Sequence, residues 1–532
     1  MSGSSAPPRE TVRWAKVIDH TRCIGCHACT TACKSENEVP LGVTRTYVKH
    51  ADVGTFPVSR RAFQVTRCNQ CADAPCTTAC PTRAMFRRPD GIVDFDKSIC
   101  IGCKACLAAC PYDAIFINPE DHSAEKCNFC AHRIDGGLEP ACVVVCPTEA
   151  IIVGDLNDPE SSVSRIVARE PVSVRRPEKE TRPKLFYLGA HQATLDPLAA
   201  ARPGGGLFMW SEQPDGAHEV GAGYPGGADR GRGRGGANSS AAAVLSYDVS
   251  HKAPWDWRVS MYTLTKGISA GLYLVALLLV LVAGLPWDGG VWLRAAPYGA
   301  LLALAVTGGL LIWDLEHPGR FFMIFTRPHW RSWLVRGAFL IGAYGFLLVA
   351  HAAAGLGGGA AAMTATRWLA WATAPLAALT AVYTAYLFAQ AKARDLWQNP
   401  LLPPHFLVQA LLAGGATLLI IAGIGLAGSD PIAGLGPLVA LSGAAHLLLL
   451  LGECTLTHAT AHARLATHQM IGGRHAVWFW AGVLTIGAGS ASAAFDLMPS
   501  QGGGLAVGVV ILAGLFAHEH AYVQAGQSVP LA

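Results

Sequence analysis

The chain has 532 residues, more than one core can serve, so roughly two to four domains are expected. A net charge of +4, with no stretch of aromatics interleaved with lysine and arginine, gives no case for a nucleic-acid partner. The composition divides sharply: residues 1–260 are polar, basic and cysteine-rich, whereas residues 261–525 carry repeated apolar stretches of about 20 residues, enough to cross a bilayer.

Met1 to Lys16 contains no apolar h-region and no twin arginine, so no export signal is expected. Cysteines in an unexported domain are read as metal ligands before disulfides. Sixteen of the seventeen cysteines precede residue 147 and fall into four groups: Cys23-Cys26-Cys29-Cys33, Cys68-Cys71-Cys76-Cys80, Cys100-Cys103-Cys106-Cys110 and Cys127-Cys130-Cys142-Cys146. Three end in Cys-Pro, at Cys80-Pro81, Cys110-Pro111 and Cys146-Pro147. The C-x2-C-x2-C-x3-C-P run is the bacterial ferredoxin signature, whose fourth thiolate ligates the other cluster of a two-cluster fold. Sixteen thiolates, four per cubane, predict four [4Fe–4S] clusters with none left over. Zinc is the rival ion, but zinc sites usually draw on two C-x2-C pairs, often with histidine. Four thiolates packed between Cys23 and Cys33 would crowd one tetrahedral ion.

In chain order, residues 12–155 read as an α+β domain of two tandem ferredoxin-like units. Short β-rich stretches follow the cysteine runs: Ala84-Met85-Phe86, Gly91-Ile92-Val93, Ala114-Ile115-Phe116-Ile117 and Ala150-Ile151-Ile152-Val153. Metal–thiolate bonds would make up for a thin apolar core. Residues 156–220 form an Arg/Pro-rich extension, in which Arg175-Arg176-Pro177 and Lys184-Leu185-Phe186-Tyr187 could wrap the iron–sulfur domain or a partner. Residues 221–260 are a Gly/Arg-rich linker, flexible by composition from Gly221 to Gly236.

Residues 261–525 predict an all-α membrane domain of eight transmembrane helices, at about 265–285, 296–315, 334–355, 368–390, 406–427, 434–455, 476–496 and 504–522. The flanking charges sort by side. The side of the N-terminus carries Lys252, Arg258, Lys266, Arg320, Arg327, Arg331, Arg336, Lys392, Arg394, Arg464 and Arg474, and the other side carries Arg294 and Arg367. The positive-inside rule then places the iron–sulfur domain in the cytoplasm, on a multi-pass inner-membrane protein.

The order of the four groups, and the gap in Cys71-Ala72-Asp73-Ala74-Pro75-Cys76, resemble the four-cluster subunit of molybdopterin oxidoreductases. That family includes the electron-transfer subunits of polysulfide, dimethyl-sulfoxide and nitrate reductases and of formate dehydrogenases. The resemblance covers about residues 12–190. It implies one cluster on Cys23, Cys26, Cys29 and Cys146, and another on Cys33, Cys127, Cys130 and Cys142. It implies a third on Cys68, Cys71, Cys76 and Cys110, and a fourth on Cys80, Cys100, Cys103 and Cys106. The family order sets the first nearest a separate molybdopterin catalytic subunit and the fourth nearest the membrane.

The membrane half resembles the eight-span subunit of polysulfide reductase and related quinone-reactive subunits. The likeness rests on Trp313-Asp314-Leu315-Glu316-His317-Pro318-Gly319-Arg320-Phe321, on Tyr383-Thr384-Ala385-Tyr386-Leu387, and on Asp395-Leu396-Trp397-Gln398-Asn399-Pro400-Leu401-Leu402-Pro403-Pro404. Ala385 replaces the family's usual glycine. The resemblance implies a quinone, menaquinone or ubiquinone, near the cluster side, with Tyr383 as a hydrogen-bond donor to it.

Ionisable groups inside spans tend to mark proton or substrate paths. The candidate catalytic residues are therefore Asp314, His317, Arg320 and Glu453, to which the resemblance adds Tyr383. Glu453 and His446 lie two helical turns apart on one face of the sixth expected span. Asp314 and Arg320 could equally form a structural ion pair. His351, His458, His462 and His468 read as interfacial, and Cys454 as a small buried hydrophobe. No two of His446, His351, His518 and His520 form a clean mid-membrane pair, so no haem is expected.

The chain thus reads as a fusion of an electron wire with a quinone module, serving a catalytic subunit of formate, sulfite or polysulfide/thiosulfate type. Its rivals are a proton-translocating subunit of a complex-III-like assembly, using Glu453, His446 and Asp496, and a passive anchor. Eight spans with acidic residues exceed what an anchor needs.

Overall fold

The computed structural model describes residues 12–55, 57–201, 243–357, 359–426, 432, 434–495 and 501–532. The linker expected at Gly221 to Gly236 lies outside them, as does Asp496.

Among the described residues, four small sheets hold the cysteine-rich part. In the first, β1 (Trp14–Asp19) is flanked by antiparallel β8 (Ile151–Asp155) and parallel β10 (Leu185–Leu188), with β9 (Val172–Ser173) outermost. The alternation of a strand explains why β1 is wanted on both faces. Ala15 and Val17 pack on Val163 of the helix Ser162–Arg169, whereas Ile18 joins Cys29 and Cys142. The Arg/Pro-rich stretch therefore supplies two strands to this sheet, with Leu185 and Tyr187 turned inward.

A second sheet pairs the hairpin β2 (Thr46–Thr55) and β3 (Val58–Arg67) with β11 (Ala243–Tyr247). Two hairpins, β4 (Met85–Arg87) with β5 (Val93–Phe95) and β6 (Ile115–Ile117) with β7 (Ala124–Lys126), complete the set. Strands β4, β6 and β8 each begin one residue after the alanine of Cys-Pro-x-x-Ala. The residue before that alanine has positive φ (Arg83 62°, Asp113 49°, Glu149 51°), so the chain turns before it extends.

Among the described residues, the second part is a bundle of eight apolar helices: Trp257–Leu281, Val291–Trp313, Trp333–Leu356, Gly359–Gln390, Leu402–Gly423, Leu435–Thr455, Ala476–Ala494 and Gly502–Gln527. The first span starts earlier than the apolar run suggests, because the Asp256 carboxylate caps it by accepting from Arg258 N–H. Lys266 is consequently not a flanking charge; it is buried inside the first span. The first and fifth spans touch backbone to backbone. A Cβ on Gly271 would fall 1.6 Å from the Ala410 carbonyl oxygen, and one on Gly414 would fall 2.1 Å from Gly271 C. Such close approach is how helices associate in lipid, where burial of apolar surface gives no drive.

The two parts meet along the segment after the second span. Glu316 and His317 donate backbone N–H groups to the Gly102 and Ile101 carbonyls at 3.4 and 3.2 Å. Arg320 donates to the Lys97 and Cys100 carbonyls, and His329 N–H to that of Pro81. Gly102 (φ +68°) presses so closely on Glu316 that a Cβ there would lie 2.4 Å from the glutamate Cβ. Elsewhere Lys49 and Arg175 donate to the carbonyls of Ala532 and Leu531.

A further tie is electrostatic. His251 bridges Asp113 and Asp248. Burial pulls its imidazole down, but Asp248 and Asp113 outweigh that and lift it to about 9. The folded value lies above the ordinary value of about 6.5, so this contribution is complete below about pH 6.5 and is lost as pH rises through about 9. Denaturation at pH 6, 8 and 10 should show up to about 3 kcal/mol of stability disappearing with rising pH. His251→Gln should remove that slope; an unchanged slope in the variant would refute the assignment.

Candidate functional site

The cysteines converge from distant parts of the chain. One small cavity is lined by Cys23, Cys26, Cys29 and Cys146. A second is lined by Cys68, Cys71, Cys76 and Cys110, and a third by Cys80, Cys100, Cys103 and Cys106. Cys33, Cys127, Cys130 and Cys142 also stand together. Asn37 Nδ2 reaches the Sγ atoms of Cys33 and Cys130 at 3.7 and 3.8 Å, and the Cys33 thiol, pushed up to about 12 chiefly by burial, is raised further by Cys127 and Cys142.

A repeated backbone turn builds these groups. In the first Cys-x-x-Cys of each group the residue before the second cysteine has positive φ: Gly25 69°, Gln70 47°, Gly102 68° and Phe129 65°. Backbone N–H groups then point at sulfur, from Ala150 to Cys146 at 3.2 Å, Met85 to Cys80 at 3.4 Å and Ala124 to Cys100 at 3.5 Å. Such bonds favour thiolate and help set cluster potential.

The surroundings fit a multi-iron cluster. Burial pushes the Cys29 thiol to about 11 and Cys71 to about 12, so thiolates in these cavities need a compensating cation. Yet the four-thiolate clusters expected there are net anions, and buried cations ring them. Arg67 Nη1 lies 3.0 Å from Cys142 Sγ, and Lys16 Nζ lies 3.7 Å from it. Against the effect of burial, Arg67 and then Lys16 bring the Cys142 thiol down to about 7. Arg67 Nε and Nη2 have no hydrogen-bond partner.

The four quartets are neighbours in sequence of proximity. Cys142 raises Cys29, Cys127 raises Cys68, and Cys76 raises Cys106, in each case after the larger effect of burial. Cys26 is exposed at one end, flanked by exposed Ile24, Val144 and Val145. At the other end Trp255 Nε1 donates to the Cys103 carbonyl at 3.3 Å, and Trp255 stacks on Trp397 and Phe388 beneath it.

Below that stack lies a buried polar group in the bundle. Lys266 Nζ donates to Thr384 Oγ1 at 2.6 Å and to the Ala381 carbonyl at 2.8 Å, and sits 4.8 Å from the Tyr383 ring centroid. Tyr383 packs against Gly337, where a Cβ would fall 2.3 Å from the ring. Tyr262 is within electrostatic range of Tyr383, Glu519 and Asp314.

The other expected residues are placed differently. Asp314 does not pair with Arg320: its partners are Lys104 at 3.5 Å and Arg258 at 3.6 Å, and burial, opposed by Lys104 and Arg258, lifts its carboxyl to about 6. Arg320 is spent on the carbonyls of Lys97 and Cys100, and His317 contacts Ser123 at 3.3 Å. Asp314, His317 and Arg320 thus join the two parts. Glu453 bonds His405 Nδ1 at 2.9 Å, and His405 Nε2 meets His446 Nδ1 at 3.0 Å. The expectation that no histidines pair in the membrane is corrected: His405, His446 and His518 cluster, all buried. His351 is also buried, bonded to Tyr273 at 2.9 Å.

The cysteine quartets and the eight apolar helices define an iron–sulfur electron-transfer unit joined to a multi-pass membrane unit. The family model "Polysulphide reductase, NrfD" matches residues 246–530, and that of the 4Fe–4S dicluster domain matches residues 60–156. The chain belongs to the NrfD polysulphide reductase family, with a 4Fe–4S dicluster domain on the same polypeptide. Its iron–sulfur part is similar to a tetrathionate reductase subunit of Salmonella typhimurium, at 43% identity over 210 residues, covering 38% of this chain and 80% of that one. It is also similar to a polysulfide reductase component of Wolinella succinogenes, at 41% identity, covering 33% of this chain and 94% of that one. The arsenate respiratory reductase iron–sulfur subunit of a Shewanella strain is 35% identical, covering 33% of this chain and 96% of the relative.

Proposed function

We propose that this chain carries electrons between a separate molybdopterin-type catalytic subunit and a membrane quinone, with its iron–sulfur part facing the cytoplasm. The observation that carries this reading is the continuous line of cysteine quartets, from exposed Cys26 to Cys103, ending above the buried Lys266 and Tyr383. Each quartet is assigned as the ligand set of one [4Fe–4S] cluster, four in all, within an iron–sulfur domain beginning at residue 12. Bound there, the clusters supply one-electron transfer. The chain's own residues do the rest. Cysteine-directed N–H groups and the Arg67 and Lys16 cations hold anionic charge. Exposed Ile24, Val144 and Val145 offer an apolar rim for the catalytic subunit.

Reducing a quinone consumes two protons, so its oxygens need donors at the membrane end. Tyr383 is proposed to donate to one ring oxygen and Lys266 to supply charge and a proton beside it. Tyr383→Phe should slow quinol-driven cluster reduction about tenfold, the cost of one hydrogen bond, with iron content unchanged. Unchanged rates would remove Tyr383 from the site.

Proton translocation stands as a second reading, favoured by one observation. Polar groups continue past Lys266 into the first four spans, where Tyr344 Oη donates to the Ser269 carbonyl and Tyr273 meets His351. In proteoliposomes, His351→Leu should then abolish proton uptake while sparing quinone turnover; uptake that survives the change sinks this reading.

A further inference from the structure

The second half of the bundle holds a polar centre that the electron path leaves unused. His405, His446 and His518 come from the fifth, sixth and eighth spans, and a donor atom of each lies within 4.8 Å of the others. We propose that these three imidazoles form a binding site for one zinc-class divalent ion, buried between those spans.

Three features support an ion there. Glu453 Oε1 holds His405 Nδ1 at 2.9 Å and so fixes Nε2 toward the other rings. A carboxylate behind a ligating histidine is the usual support that orients it and raises its basicity. Next, several buried atoms lack partners: His446 Nε2, His518 Nδ1, Glu453 Oε2 and Glu519 Oε2. Three imidazole nitrogens are a ligand set zinc takes, and water could fill the fourth position.

The third feature is charge. Glu453 and Glu519 are both buried, and Glu519 is bonded to the neutral Gln409 at 2.6 Å. Among the described ion pairs, Glu453 has only His405, and none involves Glu519. A divalent cation at the three imidazoles would offset the Glu453 charge, while Lys266 stands within electrostatic range of Glu519. Tetrahedral zinc bonds of about 2.0–2.1 Å set nitrogen atoms about 3.3 Å apart, so the rings need only small rotations from their present spacing.

The test uses the full-length protein in detergent with its clusters loaded. It is incubated with one equivalent of Zn2+, passed through gel filtration and assayed for zinc and iron. The expected result is about one zinc per chain, whose K-edge absorption shows nitrogen and oxygen neighbours at roughly 2.0–2.1 Å and no sulfur. His446→Ala and His518→Ala should each lower retained zinc by about tenfold or more with iron unchanged. Glu453→Gln keeps the side-chain volume and should weaken zinc binding about 10–100-fold. The proposal is overturned if the wild type retains no zinc, or if the ion shows sulfur neighbours and so sits among the cysteines. It is also overturned if His446→Ala or Glu453→Gln keeps full zinc with normal iron. Should a histidine variant lose its iron, the wild-type spectrum and Glu453→Gln decide.

Discussion

Arg67→Met is expected to lower the midpoint potential of the cluster assigned to Cys33, Cys127, Cys130 and Cys142 by on the order of 100 mV. Arg67 is 2% exposed, its Nη1 is 3.0 Å from Cys142 Sγ, and its other two nitrogens lack partners. A unit charge about 6 Å from an added electron, at an effective dielectric of about 20, favours reduction by roughly 3 kcal/mol. One tenfold change in a one-electron equilibrium is about 59 mV, which gives the stated shift. Methionine keeps the stem volume, so packing changes little. Redox titration followed by electron paramagnetic resonance reads the potential directly. A potential that stays put or moves upward would mean that Arg67 does not act through its charge.

Lys266→Met is expected to cut quinone-linked turnover by at least about a hundredfold, the range of a lost general acid. Its ammonium is held by Thr384 and the Ala381 carbonyl and lies 4.8 and 4.9 Å from the Tyr383 and Phe406 rings. A cation so placed is costly in an apolar bundle, and such residues are kept for function. Dithionite should still reduce the clusters fully, which separates this defect from loss of iron. Lys266→Arg distinguishes two roles: a guanidinium supplies charge but does not give up its proton. Rescue by arginine would assign Lys266 to electrostatics alone, and normal turnover in Lys266→Met would remove it from the site.

What is legible in the sequence follows from the range of each signal. Cysteine runs and apolar stretches of about 20 residues are local patterns, so the α+β domain, the family and the eight spans can be read directly. Gly25 and Gly102 mark their left-handed turns, but Gln70 and Phe129 hold the same turn in residue types that give no such sign. Strands β1 and β10 pair Lys16 with Leu185, a contact that neither segment signals alone. Lys266 reads as a flanking charge because hydropathy marks only the apolar run, whereas the helix begins at its Asp256 cap. The histidines meet only when three spans pack, and their spacing along the chain carries no trace of it.

Gly102 and Glu316 leave no room for a Cβ between them, and the neighbouring backbone hydrogen bonds interlock the fourth quartet with the bundle. Alignment of the two parts therefore resides in this contact surface, together with the strand and the His251 bridge that the joining stretch supplies. The covalent join contributes something else: it fixes the partners at one to one and raises the effective concentration of each for the other. An interface that would have to assemble from separate polypeptides is thereby relieved of the need for high affinity, and is free to be selected for electronic contact.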